Sequence, residues 1–146
     1  VDPVARRQLW EMIRDFARNG TAILVTTHFL EEAEHCQRLA FMVAGEIVAQ
    51  GSPDEIKSQQ PGNLTELKTS SIQKSFLLLK EKYGAWRVSI FADKIHFVKL
   101  KEKDFEEVSS ILAANGIDVI SSRTVPYSLE DSFISIVQRA SLEVPA

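Results

Sequence analysis

The stretch Leu24-Val25-Thr26-Thr27-His28-Phe29-Leu30-Glu31-Glu32 is the most informative segment of this chain. An apolar run, Thr21 to Val25, leads into a single histidine, and an acidic segment follows at once. The run predicts a short strand, Thr21 to Thr26, that is covered on both faces. A strand that delivers a histidine at its C-terminal tip places it where open α/β sheets bind ligands. The segment therefore predicts a functional site at His28.

The flanking segments predict short, regular elements. Asp2-Pro3 offers an acceptor side chain at a helix cap and proline at the first helical position, and Asn19-Gly20 provides the stop. A short acidic helix is expected from Leu30 to Cys36. The segments Leu39 to Val43 and Glu46 to Gln50 predict a hairpin that turns at Ala44-Gly45. Ser52-Pro53-Asp54-Glu55 is a capping box that opens a helix to about Ser58.

The second half of the chain has its own pattern after the polar segment Gln59 to Asn63. Helical spacing, alternating strands and turn residues predict the order α-β-β-α-β-α. A short strand near Leu64 to Lys68 completes β-α-β-β-α-β, a ferredoxin-like arrangement with a tail helix. A two-residue turn at Asp93-Lys94 would pair Ile90 with Phe97. Ser128 is expected to cap the tail helix, with Asp131 three residues on.

Several motifs, in this order, carry a resemblance to a known family. They are Asp2-Pro3-Val4-Ala5-Arg6-Arg7, the histidine at 28, the glycine-containing segment 39–56, Lys94-Ile-His-Phe-Val98 and Pro126-Tyr-Ser-Leu-Glu-Asp-Ser-Phe133. The series resembles the C-terminal end of an ATP-binding subunit of ABC transporters of the type-2 exporter family. The resemblance covers nearly the whole chain and is weakest from Gln59 to about Trp86.

The resemblance implies a fold class of α/β and α+β in two parts. Residues 1–58 would be the incomplete C-terminal portion of an ABC ATPase domain, and residues 59–63 a linker. Residues 64–146 would be a small ferredoxin-like accessory or regulatory domain. The chain is accordingly expected to be a fragment that runs from the D-loop and switch histidine to the end of this accessory domain.

The same resemblance implies roles for two residues. His28 would be the catalytic switch histidine that contacts the γ-phosphate of ATP. Asp2 would be the D-loop aspartate at the nucleotide-dimer interface, next to the phosphate loop of a second ATPase subunit or domain. Two structural alternatives stay open. His28 could be a polar residue at a strand end that bonds to backbone, and Asp2 could be a helix cap.

Motifs that the chain lacks set the expectation for the chain alone. No segment reads G-x-x-x-x-G-K-[ST], the loop that holds phosphates, and the family's LSGGQ-type segment and Walker B motif are not found. ATP and Mg²⁺ are therefore expected as cofactors of an intact parent ATPase and not of these 146 residues. By this interpretation the parent subunit hydrolyses ATP, whereas the chain alone is inactive.

Composition limits the partners. A net charge of −3 gives no reason to expect nucleic acid, and one cysteine fits a reducing compartment. No apolar run approaches the roughly 20 residues of a membrane helix, so direct membrane insertion is not expected. The resemblance instead implies a membrane permease subunit, a second ATPase unit and a cytoplasmic, peripheral position on the inner face of the cell membrane.

A second interpretation is a non-enzymatic module in which residues 64–140 regulate, dimerise or bind a small ligand. Metal binding is not expected because no ligand spacing unites His35, Cys36 and His96. Alternation with Ile95 and Phe97 predicts that His96 faces solvent or the other surface of the sheet. The carboxylates at 31, 32 and 34 are assigned to a helix's first turn, where the dipole favours negative charge.

Overall fold

The structure is a computed structural model that describes residues 2–143. The chain divides into two compact units, Val1–Cys36 and Gln37–Ala146. These units and the sequence-based domains differ over residues 37–58. The division into domains 1–58 and 64–146 with a linker at 59–63 stays a prediction, since it concerns which parts of the chain fold independently.

The first unit contains two helices, α1 (Pro3–Arg18) and α2 (Leu30–Ala33). The predicted start and stop of α1 are both present, because Asp2 caps the helix and Gly20 adopts a φ of 89° just beyond its end. Trp10 is the buried residue of α1, and its ring lies 5.1 Å from that of His35. The acidic helix is confirmed but shorter than expected.

The predicted strand Thr21 to Thr26 is absent, which corrects the expectation of a strand buried on both faces. Residues 21–27 have no helical or strand assignment, and Leu24 is 94% exposed. A β-strand is defined by backbone hydrogen bonds to a neighbouring strand. Among the described residues of the first unit, no segment pairs with residues 21–26. The apolar composition of the run was therefore insufficient to define a strand.

The second unit begins with the predicted hairpin. Strands β1 (Leu39–Val43) and β2 (Glu46–Gly51) pair antiparallel. Ala44 and Gly45 form the turn with φ values of 50° and 82°, the left-handed geometry that suits the twist of a two-residue hairpin. The capping box then opens α3 (Pro53–Ser58) as predicted.

A four-stranded antiparallel sheet follows, with the strand order β4-β5-β3-β6. Its elements in chain order are β3 (Asn63–Thr69), α4 (Ile72–Tyr83), β4 (Val88–Phe91), β5 (Lys94–Lys99), α5 (Asp104–Ala114) and β6 (Val119–Val125), and α6 (Leu129–Glu143) ends the described chain. This order confirms the predicted ferredoxin-like arrangement with its tail helix. The strand expected near Leu64 to Lys68 is β3, which has seven residues and lies between β5 and β6 in the sheet.

The first face of the sheet forms the main hydrophobic core with α4 and α5. Leu67, Ile95 and Phe97 are at most 1% exposed. They pack with helix residues in one cluster, whose members are Leu67, Leu79, Val88, Ile95, Phe97, Val108, Leu112 and Ile117. Because side chains alternate along a strand, Glu66, His96 and Val98 lie on the opposite face, here called the second face.

The turn between β4 and β5 differs from the prediction. Ile90 pairs with Ile95 rather than with Phe97, so the turn residues are Ala92 and Asp93. Ala92 has a φ of 52°, the left-handed conformation that begins a tight hairpin turn. The pairing is displaced by two residues, and an even displacement leaves every apolar side chain on the face predicted for it.

Candidate functional site

Asp2 occupies the N-terminal cap of α1. Its Oδ1 accepts a hydrogen bond of 3.3 Å from the backbone N–H of Val4, and Pro3 takes the first helical position. The structural alternative for Asp2, a helix cap, is confirmed. A contact of Asp2 with a second ATPase unit is compatible with this cap and stays a prediction.

His28 lies at a bend in the segment between α1 and α2, and it is exposed. Its ring packs against that of Phe29, with the centroids 4.1 Å apart and the planes inclined by 35°. An exposed imidazole can donate and accept hydrogen bonds, so the residue is available to a ligand. The predicted location at a strand tip is wrong, because the strand is absent, whereas the role predicted for His28 remains open.

Polar contacts to α2 fix the backbone on either side of His28. The Thr27 hydroxyl accepts a hydrogen bond of 3.0 Å from the N–H of Phe29 and donates one of 2.6 Å to Glu32. Arg6 extends this set from α1, with its Nε 3.7 Å from Glu32 Oε1. Glu32 and Thr27 therefore stabilise the turn at residues 27–29, which carries the exposed His28.

The structure also reveals a buried polar cluster that the sequence did not predict as a unit. His96 places Nδ1 2.8 Å from Asp131 Oδ1 and Nε2 3.2 Å from Glu66 Oε2. All three residues are buried. Glu66 comes from β3, His96 from β5 and Asp131 from α6, so the cluster joins the second face of the sheet to the tail helix.

Cations complete the cluster around Glu66. Its Oε1 accepts hydrogen bonds from Arg123 at 2.8 Å and from Lys94 at 3.0 Å. These bonds, with that from His96, outweigh burial and lower the pKa of Glu66 to about 2. Burial alone would lower the pKa of His96, but the hydrogen bonds and charges of Asp131 and Glu66 prevail and raise it.

His96 was predicted to face either solvent or the other surface of the sheet. In the structure it lies on the second face, where Asp131 of α6 contacts it. Alternation along β5 predicted the correct face, since Ile95 and Phe97 occupy the core side. Glu66 has the same parity on β3, where it pairs with His96 across the strands. The pairing of Glu66 with His96 across two strands could therefore have been predicted from the sequence. The position of α6 over them could not, because it depends on residues far away in the chain.

The segment Pro126–Phe133, which carried part of the resemblance, has a structural explanation. The Ser128 hydroxyl accepts a 3.0 Å hydrogen bond from the N–H of Asp131 and donates one of 2.7 Å to its carboxylate. Leu129 is 2% exposed, and Phe133 meets the ring of Phe41 edge-on at 5.2 Å. Ser128 with Asp131 thus caps α6, and Leu129 and Phe133 fasten it to the rest of the second unit.

Residues 2–143 contain neither a metal-ligand group nor a membrane-spanning helix. No group of three histidine, cysteine or carboxylate side chains in that range is arranged to hold a metal ion. Nor does any helix in the same range have the length and apolar character to cross a bilayer. His28 and the cluster around His96 are candidate functional groups.

Comparisons with known proteins connect these features to one group, although no family model matches the chain. The "Probable multidrug ABC transporter ATP-binding protein YbhF" of Escherichia coli is 35% identical over 79 residues, which cover 54% of this chain and 13% of that protein. "ABC transporter A family member 5" of Arabidopsis thaliana is 33% identical over 154 aligned residues, covering 96% of this chain and 16% of that protein.

The human "Phospholipid-transporting ATPase ABCA3" is 47% identical over 60 residues, which cover 40% of this chain and 4% of that protein. The chain thus spans 13% of YbhF and 16% of the Arabidopsis protein. The similarity to A family member 5 extends over both units of the structure. By these matches the chain is similar, over a part of their length, to ABC transporter proteins, among them an ATP-binding protein.

Proposed function

We propose that the chain is part of an ATP-binding subunit of an ABC exporter, in which two ATPase units hydrolyse ATP to drive a separate membrane permease. The observation that carries the proposal is the alignment of 96% of the chain, from the segment of His28 to the tail helix, with an ABC transporter. By this proposal the subunit lies in the cytoplasm, peripheral on the inner face of the membrane.

His28 is the residue proposed to act on ATP. Its exposed imidazole, on a turn that Glu32 anchors, suits a single hydrogen bond to a γ-phosphate oxygen. Phosphoryl transfer depends chiefly on positioning and charge stabilisation, so one well-placed donor has a large effect on the rate. Asp2, which caps α1, would meet the second ATPase unit.

The nucleotide requires more than these two residues supply. The exposed imidazole fits one phosphate contact, whereas residues 2–143 contain no group of three or more histidine, cysteine or carboxylate side chains that could hold a metal ion. The glycine-rich loop that would hold the phosphates is absent from this sequence. In the proposed parent, ATP with Mg²⁺ supplies the reactive γ-phosphate, and the part of His28 is to orient groups around it.

The test is His28→Ala in the assembled transporter that contains this sequence. We expect ATP turnover to fall by at least about 100-fold with nucleotide binding nearly unchanged, because a positioning group acts mainly on the transition state. The matched control is His35→Ala, which removes an exposed histidine seven positions away. Equal turnover in His28→Ala and the unmodified transporter would exclude His28 from catalysis.

A second candidate function, dimerisation through the ferredoxin-like sheet, is favoured by β6. This strand is at one edge of the sheet and pairs with β3 alone among residues 2–143. Residues 120–124 are exposed, and Ile120 is 61% exposed. The outer edge of this seven-residue strand, unpaired within residues 2–143, offers its backbone groups to a second strand, which can come from another copy of the chain.

A charged substitution on the edge strand β6 tests whether the chain dimerises through this strand. Ile120→Lys should convert a dimer into a monomer, since a lysine on an edge strand opposes strand pairing. Leu77→Lys is a suitable control, because Leu77 is 62% exposed on α4. Light scattering measures the mass of the unmodified chain and of both variants. Dimerisation through β6 would be contradicted if all three were monomers, or if all three were dimers.

A further inference from the structure

The hydrogen-bond geometry around His96 requires two donors from one ring. Nδ1 faces Asp131 at 2.8 Å and Nε2 faces Glu66 at 3.2 Å. An ionised carboxylate only accepts hydrogen bonds, and a neutral imidazole carries one N–H. The observed arrangement is therefore fully satisfied only by the imidazolium form of His96.

The two carboxylates depend on that positive charge unequally. Glu66 also contacts Lys94 and Arg123, so two other cations neutralise it. Asp131 is 6% exposed, and its other oxygen accepts a hydrogen bond from the Ser128 hydroxyl. Within residues 2–143, His96 is the cation in contact with Asp131. Loss of the proton leaves a buried carboxylate of α6 without its counter-charge, which is costly.

The surroundings of the ring favour the charged form from most sides. Carboxylates face it from β3 and α6, and β4 contributes the ring of Phe91, stacked on His96 at 4.9 Å with the planes inclined by 15°. The cations of β5 and β6, Lys94 and Arg123, reach the cluster through Glu66. The raised pKa of His96 agrees in direction with this arrangement.

We propose that α6 is held across the second face of the sheet by protonated His96, and that it loosens when His96 loses its proton. Asp131 of α6 reaches His96 on that face, where Leu64 and Val98 on the sheet and Leu129 on α6 are each at most 3% exposed. Phe133 of the same helix also packs against Phe41 of the hairpin. Proton loss at one buried ring therefore controls access to the second face and the attachment of the hairpin.

Amide hydrogen exchange on the full chain tests the proposal, with rates corrected for the intrinsic effect of pH. As the pH rises above about 6.5 and through the raised pKa of His96, we expect the opening equilibrium of α6 to rise by about tenfold. Amides of α4, which packs on the first face, should show no such rise. Equal behaviour of α6 and α4 over this range would overturn the proposal.

Two variants assign the effect to the cluster. His96→Gln offers donors that do not titrate, so α6 should exchange independently of pH, whereas the exposed control His35→Gln should keep the pH response. Asp131→Asn retains a polar side chain beside Ser128 and removes the charge that needs the proton, so the response should shrink. A pH response that survives in His96→Gln would contradict the proposal.

Nuclear magnetic resonance of the unmodified chain gives an independent measurement if a variant does not fold. The ¹⁵N shifts of the His96 ring report proton loss directly, and the backbone resonances of α6 report the helix. We expect both to change with the same midpoint. An α6 that keeps its resonances while the His96 ring titrates would overturn the proposal.

Discussion

Arg87 and Asp104 form a largely buried ion pair, in which Nη2 lies 2.6 Å from Oδ2. Arg87 also donates two hydrogen bonds, of 3.0 and 2.9 Å, to the backbone oxygen of Val98. Asp104 accepts bonds from the N–H groups of Leu100 and Lys101 at 2.8 and 2.9 Å. Burial opposes the charge of Asp104, but these bonds prevail and lower its pKa. The pair therefore ties the start of α5 to the sheet.

Asp104→Asn should destabilise the second unit by about 2 to 4 kcal/mol, because it leaves the guanidinium of Arg87 buried without its counter-charge. Urea unfolding followed by circular dichroism measures the change. Glu106→Gln, an exposed carboxylate in the same first turn, is the control and should cost less than about 0.5 kcal/mol. Equal stabilities of the two variants would show that the pair contributes little.

Glu66 should contribute stability that is lost in acid. Its pKa in the folded state is about 2, below its ordinary value of 4.5, so the contribution is complete above about 4.5 and disappears as the pH falls toward 2. Glu66→Gln should reduce the slope of the unfolding free energy against pH in that window. The exposed Glu81→Gln should leave it unchanged, and a slope unaffected by Glu66→Gln would refute the assignment.

His96 should act in the opposite direction. Its folded pKa is raised above 6.5, so its contribution is fully present below pH 6.5 and is lost as the pH rises through the raised value. Global unfolding in urea at pH values on both sides of that interval should show stability falling with pH. In His96→Gln this decline should be absent, and a persistent decline would point to another group.

Gly62 should resist substitution more strongly than a comparable glycine. It has a φ of 65°, and a Cβ there would collide with the backbone oxygen of Lys99 and lie 2.9 Å from a side-chain carbon of Leu100. Gly116 has a φ of 70° and open space around it. Gly116→Ala should cost about 1 to 2 kcal/mol for the left-handed backbone, and Gly62→Ala clearly more. Similar unfolding midpoints would contradict the steric account.

The isolated chain should bind ATP weakly, with a dissociation constant in the millimolar range or above. One exposed imidazole provides a single phosphate contact, and a phosphate-binding loop provides several backbone N–H groups together. Isothermal titration calorimetry with ATP and Mg²⁺ measures this. Micromolar affinity, on the order of 8 kcal/mol of binding free energy, would contradict the expectation.

Local chemistry explains why much of the fold could be predicted from the sequence. Ser52 and Glu55 cap α3 through contacts three residues apart, and Ser128 with Asp131 does the same at α6. The helix of Ile72 to Tyr83 and the alternating strands follow from apolar spacing. These signals depend on near neighbours in the chain, so they predicted the order β-α-β-β-α-β correctly.

The candidate functional residues could be predicted less completely from residues that are close together in the chain. The motifs around Asp2 and His28 identified these residues, and the structure shows the cap of Asp2 and the exposure of His28. The strand expected at residues 21–26 failed, because strand formation depends on a partner strand that composition does not reveal. The turn at Ala92 was displaced for a related reason, since two registers place the same side chains on the same faces.

The sequence by itself determined the helix caps, the turn glycines and the faces of the strands, because each depends on residues within a few positions of one another. Only the tertiary structure decided that His96 is buried between Glu66 and Asp131. These partners are 30 and 35 residues away, and they meet because β3 pairs with β5 while α6 crosses the second face. Burial and the raised pKa of His96 are properties of that assembly, since each of the three side chains would be solvated in an extended chain.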